Sequence, residues 1–389
     1  MKRPRKTGSF LLAISTAWGV FADVLLCLCI ASMVDVGDPS PPRSDERPPG
    51  EINNKVFPPF RAQAEKRPIK LAWRAKTPEE HEAWRLEFRA KLVELLGRMP
   101  DSVPPEVKWA ETKQFDRFTR HKIYLRSEED YWVPAYYFLP KKSKGKRPAV
   151  VCLHGHGGIY PSIREGDLQA RERSQALSLD YAVYLAEHGY VTIAPVVRGW
   201  DETAADQDPG VENRRSCHRV TMNALLVGMT PMGLRCWDAM RCVDFLQTQD
   251  EVDAEKIGAA GLSGGGTLAL YLPVLDDRVK LAMIGGAFSS FRSSFYTLPH
   301  CVCNCLPQVM EYGEMSDVLA LHAPRPVLLI HGTKDRMFPV EEARKGYAKL
   351  ERVYALLEAS EDLEADFFDG PHAWSNDKTL PFLEKHFGK

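Results

Sequence analysis

Several features that mark particular classes of protein are missing from this sequence. Lysine and arginine (51) balance aspartate and glutamate (52), so the formal net charge is only -1, and no overall field attracts nucleic acid or an anionic surface. No segment repeats along the chain, which argues against solenoids and propellers. Nine cysteines in 389 residues do not make a disulfide scaffold. With 44% hydrophobic residues the chain can instead bury a large core.

The first 36 residues have the pattern of a targeting segment. Basic residues within positions 2–6 precede an almost wholly apolar run, Gly8–Val34. Asp23 lies in the middle of this run, where a carboxylate in a bilayer costs roughly 2.5–3.5 kcal/mol. The segment is predicted to be a cleaved signal peptide or an uncleaved membrane anchor. The remaining alternatives are a misread start or a buried helix. The first two alternatives predict export to the periplasm or beyond, and the proline-rich residues 37–50 predict a flexible linker.

Residues 51–130 form a predicted N-terminal extension of the main domain. The segment 77–97 opens with Thr-Pro-Glu-Glu and carries large apolar residues at helical spacing, which predicts an amphipathic helix. Three runs rich in β-branched and aromatic residues predict antiparallel strands at Val107–Phe115, Thr119–Leu125 and Tyr131–Leu139.

Residues 131–389 have the pattern of an α/β domain with a mostly parallel central sheet and helices on both faces. Short apolar strands alternate with helices after Arg147. The predicted strands cover 148–154, 190–195, 256–263, 280–286, 325–332 and 363–370, and the predicted helices cover 179–188, 232–248, 264–275, 340–357 and 377–386. Two polar stretches, Ile159–Ser178 and Asp201–Thr230, are predicted as loops over the carboxyl ends of the strands, where such sheets bind ligands.

Ser263 is the candidate nucleophile. It lies in GLSGG (261–265), where a buried strand meets a helix. Flanking glycines allow a sharp turn that lifts the hydroxyl clear of the sheet. G-x-S-x-G alone is a weak motif, and the strand-turn-helix context makes it specific.

A serine nucleophile needs a histidine base and an acid that orients the histidine. In this class of fold they follow the serine in the order acid, then histidine. Asp335 follows the strand RPVLLIHG and His372 follows the strand ADFFDG. Asp369 is the main rival acid. The weaker candidates for the base are His300, His322, His331 and His386.

An acyl-transfer site also needs two donors for the developing oxyanion. The amide of Gly264 is one candidate, at the start of a helix, and the amide of His156 in HGHGG (154–158) is the other. A zinc site at His154 and His156 has no carboxylate-rich ligand set beside it. We therefore predict no metal and no cofactor.

Two further segments have open interpretations. Cys301, Cys303 and Cys305 alternate along the chain and form a pocket wall or core, a disulfide, or part of a metal site. Arg198 and Trp200, after the strand YVTIAP, are candidate substrate-binding residues at the pocket rim. Arg198 has the alternative of an ion pair with the acidic residues that follow it.

Together these motifs resemble the dienelactone-hydrolase and acetyl-xylan-esterase branch of the α/β-hydrolase superfamily. The resemblance covers roughly residues 131 to 389 and rests on HGHGG, RGWDE, GLSGG, CVCN, APRPVLLIHGTKD and GPHAW. It implies a triad of Ser263, Asp335 and His372 and an oxyanion hole of the His156 and Gly264 amides. Serine in place of cysteine departs from dienelactone hydrolases and favours simple carboxylic esters.

The expected function is hydrolysis of short-chain, acetyl-type esters of small molecules or polysaccharides. Exported esterases of this branch often deacetylate polysaccharides, which suits a leader and linker. The alternatives are a peptidase or amidase of the prolyl-oligopeptidase type and a non-catalytic binding protein of the same fold. No propeller precedes the domain and no triad residue is lost, so both alternatives are weaker.

Overall fold

The structure is a computed structural model that describes residues 56–141, 145–204 and 216–388. Its strands are β1 Val107–Gln114, β2 Phe118–Glu128, β3 Tyr131–Pro140, β4 Arg147–Leu153, β5 Val191–Pro195, β6 Val252–Leu262, β7 Val279–Gly285, β8 Val327–Gly332 and β9 Leu363–Phe368. These nine strands form one sheet in the order β1-β2-β3-β5-β4-β6-β7-β8-β9. The first three run antiparallel to their neighbours, whereas β4 to β9 pair in parallel. The predicted sheet is confirmed.

The helices connect and cover these strands. They are α1 Phe57–Lys66, α2 Pro78–Leu96, α3 Ile159–Ser162, α4 Leu168–Leu177, α5 Tyr181–Glu187, α6 Cys217–Leu226, α7 Pro231–Gln247, α8 Gly264–Leu275, α9 Val309–Tyr312, α10 Met315–Ala320, α11 Val340–Leu356 and α12 Thr379–Phe387. Helix α2 begins as predicted, because the Thr77 hydroxyl accepts the amide hydrogen of Glu80 at 3.2 Å and a proline occupies the first turn.

The two faces of the sheet bury separate cores. Along β4, Ala149 and Val151 pack into one core with α2, α7 and α8, while Val150 and Cys152 pack into the other with α5 and α12. Side chains alternate between the faces of a strand, so a strand buried on both faces is apolar at every position. Helices on both faces are therefore present as predicted.

The two stretches predicted as loops contain helices, so that prediction is wrong in part. Helices α3 and α4 lie in the first stretch and α6 lies in the second. In α4 only Ser174 is buried, so the helix has no apolar stripe to reveal it in the sequence. Its start is fixed locally, because the Asp167 carboxylate accepts the amide hydrogen of Ala170 at 2.9 Å.

The described part of the chain places the predicted extension and the main domain together. Residues Arg61–Lys389 form one compact unit, and the predicted boundary at residue 130 falls within it, between β2 and β3. Before this unit the structure describes only residues 56–60. The predicted leader and linker lie outside the described residues. Among the helices described, none is long and apolar enough to cross a bilayer.

Candidate active site

The three candidate catalytic residues lie at one edge of the sheet. Ser263 directly follows β6, Asp335 lies just beyond β8, and His372 lies just beyond β9. Because β6, β8 and β9 are parallel, their carboxyl ends share an edge. The sheet topology therefore brings to one edge residues that lie as far as 109 positions apart in the sequence.

Ser263 occupies a strained turn between β6 and α8. Its backbone has φ 61° and ψ -122°, a region that residues other than glycine rarely adopt. Its amide donates to the carbonyl of Gly285 at 2.9 Å, which helps to hold this turn. The turn also requires glycine nearby, because a Cβ on Gly265 would lie 1.7 Å from the carbonyl oxygen of Leu153. The glycines of GLSGG thus serve the close approach of α8 to the end of β4.

Asp335 and His372 form a hydrogen-bonded pair. One carboxylate oxygen, Oδ2, lies 2.6 Å from His372 Nδ1, and the other accepts the amides of Met337 and Phe338 at 2.8 and 3.1 Å. Burial opposes ionisation of Asp335, but the bond to His372 and the two amides hold its pKa below the ordinary value. A carboxylate can only accept, so Nδ1 of His372 must donate, and Nε2 is left as the basic nitrogen.

Ser263 and His372 line the same small cleft, which has a cavity volume of about 60 Å³. Leu177, Leu179 and Tyr181 give it an apolar wall, and Arg173 contributes a cation. The sequence analysis missed Arg173 because it lies on α4, within a stretch predicted as a loop. The one sequence signal for helix α4 was Asp167, whose side chain caps the first turn of the helix. The cleft therefore contains a serine hydroxyl, an imidazole, an apolar surface and a positive charge.

The two predicted oxyanion donors belong to segments that touch. A Cβ added to Gly264 would lie 2.7 Å from Nδ1 of His156. Gly264 is the first residue of α8, and amides of a first helical turn have no acceptor within their own helix. The HGHGG loop thus packs against the amino end of α8, where the helix dipole favours negative charge.

The rival residues have other partners. The Asp369 carboxylate is exposed and pairs with Lys334 at 2.8 Å, so it does not orient His372. His331 Nε2 lies 2.9 Å from the carbonyl oxygen of Phe338, and His300 Nε2 lies 2.8 Å from the hydroxyl of Ser294.

Arg198 and Trp200 do not stand at the rim as predicted. The Arg198 guanidinium makes two hydrogen bonds to Asp238, at 2.7 and 2.9 Å, and an ion pair with Glu128 at 2.5 Å. Trp200 is buried, with its ring 5.2 Å from that of His156 in an edge-to-face contact. Neither residue lines the cleft. Arg198 therefore fastens the segment after β5 to α7 and β2, and pairs with neither acidic residue that follows it.

The histidines of the HGHGG loop have different surroundings. His154 is buried, its Nε2 accepts the amide hydrogen of Val197 at 2.9 Å, and burial lowers its pKa to about 4. This neutral histidine holds two loops together. His156 instead places its Nε2 3.3 Å from the sulfur of Cys303.

His156 belongs to a cluster with Cys217, Cys301 and Cys303, whose candidate ligand atoms all lie within 4.8 Å of one another. Every described cysteine is a free thiol. Hydrogen bonds from the thiols of Cys301 and Cys303 lower the pKa of Cys217. The sequence analysis treated the histidines and the cysteine triplet as separate, incomplete ligand sets. In the fold these four side chains lie together, so they form one set of candidate metal ligands. The prediction that the chain binds no metal stays a prediction.

Comparison with known proteins adds the family. A model of the Abhydrolase family matches residues 62–364. “Putative hydrolase YtaP” of Bacillus subtilis (strain 168) is 27% identical over 283 residues, which cover 70% of this chain and 88% of that protein.

Two solved structures share the fold. A “putative acetyl xylan esterase” from Bacteroides fragilis NCTC 9343 superposes with a TM-score of 0.69 at 16% identity, covering 82% of this chain and 84% of that one. A glucuronoyl esterase from Solibacter usitatus gives a TM-score of 0.63 at 15% identity, covering 83% and 100%. These likenesses establish the α/β-hydrolase fold.

Proposed function

The chain belongs to the Abhydrolase family, and on that premise we propose that it is a serine carboxylic ester hydrolase that acts through an acyl-enzyme. One observation carries the proposal. Ser263 sits on a strained turn in the same cleft as His372, and His372 is bonded at 2.6 Å to the buried carboxylate of Asp335. A structural role for these residues explains neither the strain nor their convergence on one cleft.

The proposed reaction uses each group in turn. The Ser263 hydroxyl attacks the ester carbonyl while Nε2 of His372 takes its proton, and Asp335 stabilises the imidazolium that forms. The amides of His156 and Gly264 donate to the oxyanion. His372 then gives the proton to the leaving alcohol, and water hydrolyses the acyl-enzyme by the same route. Every step uses side chains and amides of this chain.

We propose short acyl groups, acetyl first, and carbohydrate alcohols. The apolar wall formed by Leu177, Leu179 and Tyr181 suits a small acyl group, and Arg173 can donate to hydroxyl or carboxylate oxygens of a sugar. The printed names of two proteins with this fold, an acetyl xylan esterase and a glucuronoyl esterase, indicate which carbohydrate esters to test.

The experiment that tests the reaction is hydrolysis of nitrophenyl esters from acetyl to octanoyl by the purified chain. Ser263→Ala is compared with Ser162→Ala, since Ser162 lines the same cleft without a proposed chemical role. We expect the highest kcat/KM for acetyl and a loss of at least about 10³-fold in Ser263→Ala alone. Equal activity of Ser263→Ala and the unmodified chain would exclude this nucleophile.

A second experiment tests which acyl group the chain removes, acetyl or glucuronoyl. Acetate release from acetylated xylan is compared with alcohol release from methyl glucuronate esters, at equal concentrations of ester. Preference for acetylated xylan supports the deacetylase proposal. Preference for the glucuronate ester would support the ester-hydrolase proposal but change its acyl group from acetyl to glucuronoyl. Arg173 would then face the uronate part of the substrate.

Export is also a proposal. It is supported by the basic residues ahead of the apolar run Gly8–Val34. Expression of the full chain in a bacterium, followed by cell fractionation and intact mass measurement, distinguishes a cleaved leader from a membrane anchor. Full-length protein in the cytosol would overturn the proposal.

A further inference from the structure

Beside the cleft, the fold gathers four side chains from three separate segments. His156 lies in the loop after β4, and Cys217 begins α6. Cys301 directly precedes a short helical turn, Val302–Asn304, and Cys303 lies within it. Their candidate ligand atoms lie within 4.8 Å of one another, and the closest pairs are 3.2 and 3.3 Å apart. The proposed ester hydrolysis uses none of these side chains.

These distances suit a tetrahedral metal ion. With Zn–S bonds of about 2.3 Å and a Zn–N bond of about 2.05 Å, tetrahedral geometry sets S···S at about 3.8 Å and S···N at about 3.6 Å. The separations in the cluster bracket both values, so small rotations about the side-chain bonds would bring all four atoms onto one ion. Three sulfurs and one imidazole nitrogen are a common ligand set of structural zinc.

The surroundings also match the charge of such a site. Three thiolates and one Zn²⁺ carry a net charge of -1, which requires a cation nearby when the site is buried. The Arg235 side chain is buried, and its guanidinium lies 3.5 Å from the sulfur of Cys217. The Trp200 ring packs edge-to-face with the imidazole of His156, with the ring centroids 5.2 Å apart.

We propose that His156, Cys217, Cys301 and Cys303 bind one Zn²⁺ ion in a closed structural site. Binding forms three Zn–S bonds and one Zn–N bond, and the three thiol protons leave to solvent. The ion ties the HGHGG loop to α6 and to the turn at residues 301–305. It thereby fixes the loop whose His156 amide is a proposed oxyanion donor, although this proposal does not depend on the ester hydrolase.

A disulfide is the competing use of these thiols. It would consume two sulfurs and leave the third thiol and the imidazole without a role. Cys301 and Cys303 are separated by one residue, so a bond between them would close a small ring. The convergence of a fourth ligand, His156, from a distant segment favours the metal.

The test measures metal in the full chain, purified with a reductant and without a chelator. We expect about one zinc ion per chain by plasma mass spectrometry. Protein produced in cobalt-supplemented medium should show thiolate-to-cobalt charge transfer and the strong visible absorption of tetrahedral Co²⁺. Both measurements use the unmodified sequence, so neither depends on the folding of a variant.

Matched variants assign the ligands. Cys217→Ser and Cys303→Ser should each reduce bound zinc at least about tenfold. Cys305→Ser is the control, since Cys305 lies on the same turn outside the cluster, and it should keep a full equivalent. Ser263→Ala should also keep its zinc while it loses ester hydrolysis, which separates the two proposals.

Three results would overturn the proposal. They are zinc well below one-tenth of an equivalent, cobalt that shows only the weak absorption of six-coordinate ions, and a disulfide between any two of the three cluster cysteines. Alkylation without reduction, followed by mass mapping of the peptides that carry residues 217 and 301–305, detects the disulfide.

Discussion

Replacing Asp335 with asparagine should prevent His372 from acting as a base while leaving the His372 side chain in place. The asparagine oxygen can still accept the two backbone amides that now bond to Oδ1, at 2.8 and 3.1 Å. Its NH₂ group then faces Nδ1 of His372, in the position that Asp335 Oδ2 occupies in the unmodified chain, 2.6 Å from Nδ1. Since NH₂ can only donate, Nδ1 must become the acceptor and the proton moves to Nε2. In that tautomer Nε2 cannot take the proton of Ser263.

The expected loss is large. The wrong tautomer in a Ser-His-Asp triad lowers turnover about 10⁴-fold, which corresponds to roughly 5.5 kcal/mol in the barrier. The assay is nitrophenyl acetate hydrolysis at neutral pH. Asp369→Asn is the control, because this exposed carboxylate pairs with Lys334 and should change activity less than about twofold. Asp335→Asn with more than a tenth of the original activity would refute the reasoning, as would a large loss in Asp369→Asn alone.

The same variant gives a second readout, in stability against pH. The pKa of Asp335 is lower in the folded protein than its ordinary value. Its charge therefore stabilises the fold fully above about pH 4, the ordinary aspartate pKa, and less as the pH falls through the folded-state pKa. Urea unfolding should show a stability gap between the unmodified chain and Asp335→Asn at pH 7 that narrows in acid. A gap that widens in acid would contradict the assignment.

Three further changes test the cleft, the turn and the buried ion pair. Arg173→Ala should raise KM about three- to tenfold with little change in kcat, because we propose that its guanidinium contacts substrate oxygens and not the reacting atoms. Arg171→Ala, on the same helix but outside the cleft, should leave KM unchanged. Gly265→Ala should lower the free energy of unfolding by about 3 kcal/mol or abolish folding, because its Cβ would lie 1.7 Å from a carbonyl oxygen. A Cβ at Gly228 meets no neighbour, so Gly228→Ala should lower the free energy of unfolding by only about 1 kcal/mol, for its positive φ. Urea titrations of the two variants measure the difference. Arg198→Met should lower the free energy of unfolding by about 3–5 kcal/mol, because it leaves the carboxylates of Glu128 and Asp238 unpaired. KM should not change. A raised KM would instead indicate that Arg198 contacts the substrate.

Much of the fold and of the triad could be predicted because the signals are local. Strands β4, β5, β7 and β8 are short apolar runs buried almost throughout, so hydrophobicity alone marks them. The second half of β6 has the same pattern, whereas β9 is buried only at Leu363 and Asp366. The positions of Ser263, Asp335 and His372 follow from where those runs end, and the parallel topology brings the ends to one edge.

The missed features depend on contacts between distant segments. The four ligands of the cluster come from three segments, so spacing along the chain could not show that His156 meets Cys217 and Cys303. Arg198 was placed at the rim because it follows a strand, yet its position is decided by Asp238 on α7. Helix α4, with Arg173, escaped detection because its exposed surface carries no apolar stripe.

The most direct test of the central claim is covalent trapping of the nucleophile. A fluorophosphonate ester reacts with the serine that its base activates and stays attached as a stable phosphonyl adduct. After incubation with the full chain and protease digestion, mass spectrometry should find one adduct, on Ser263, in step with the loss of ester hydrolysis. Ser162→Ala should label normally, and Asp335→Asn should label far more slowly. An active chain whose adduct lies on another serine, or that keeps full activity without any adduct, would contradict the account.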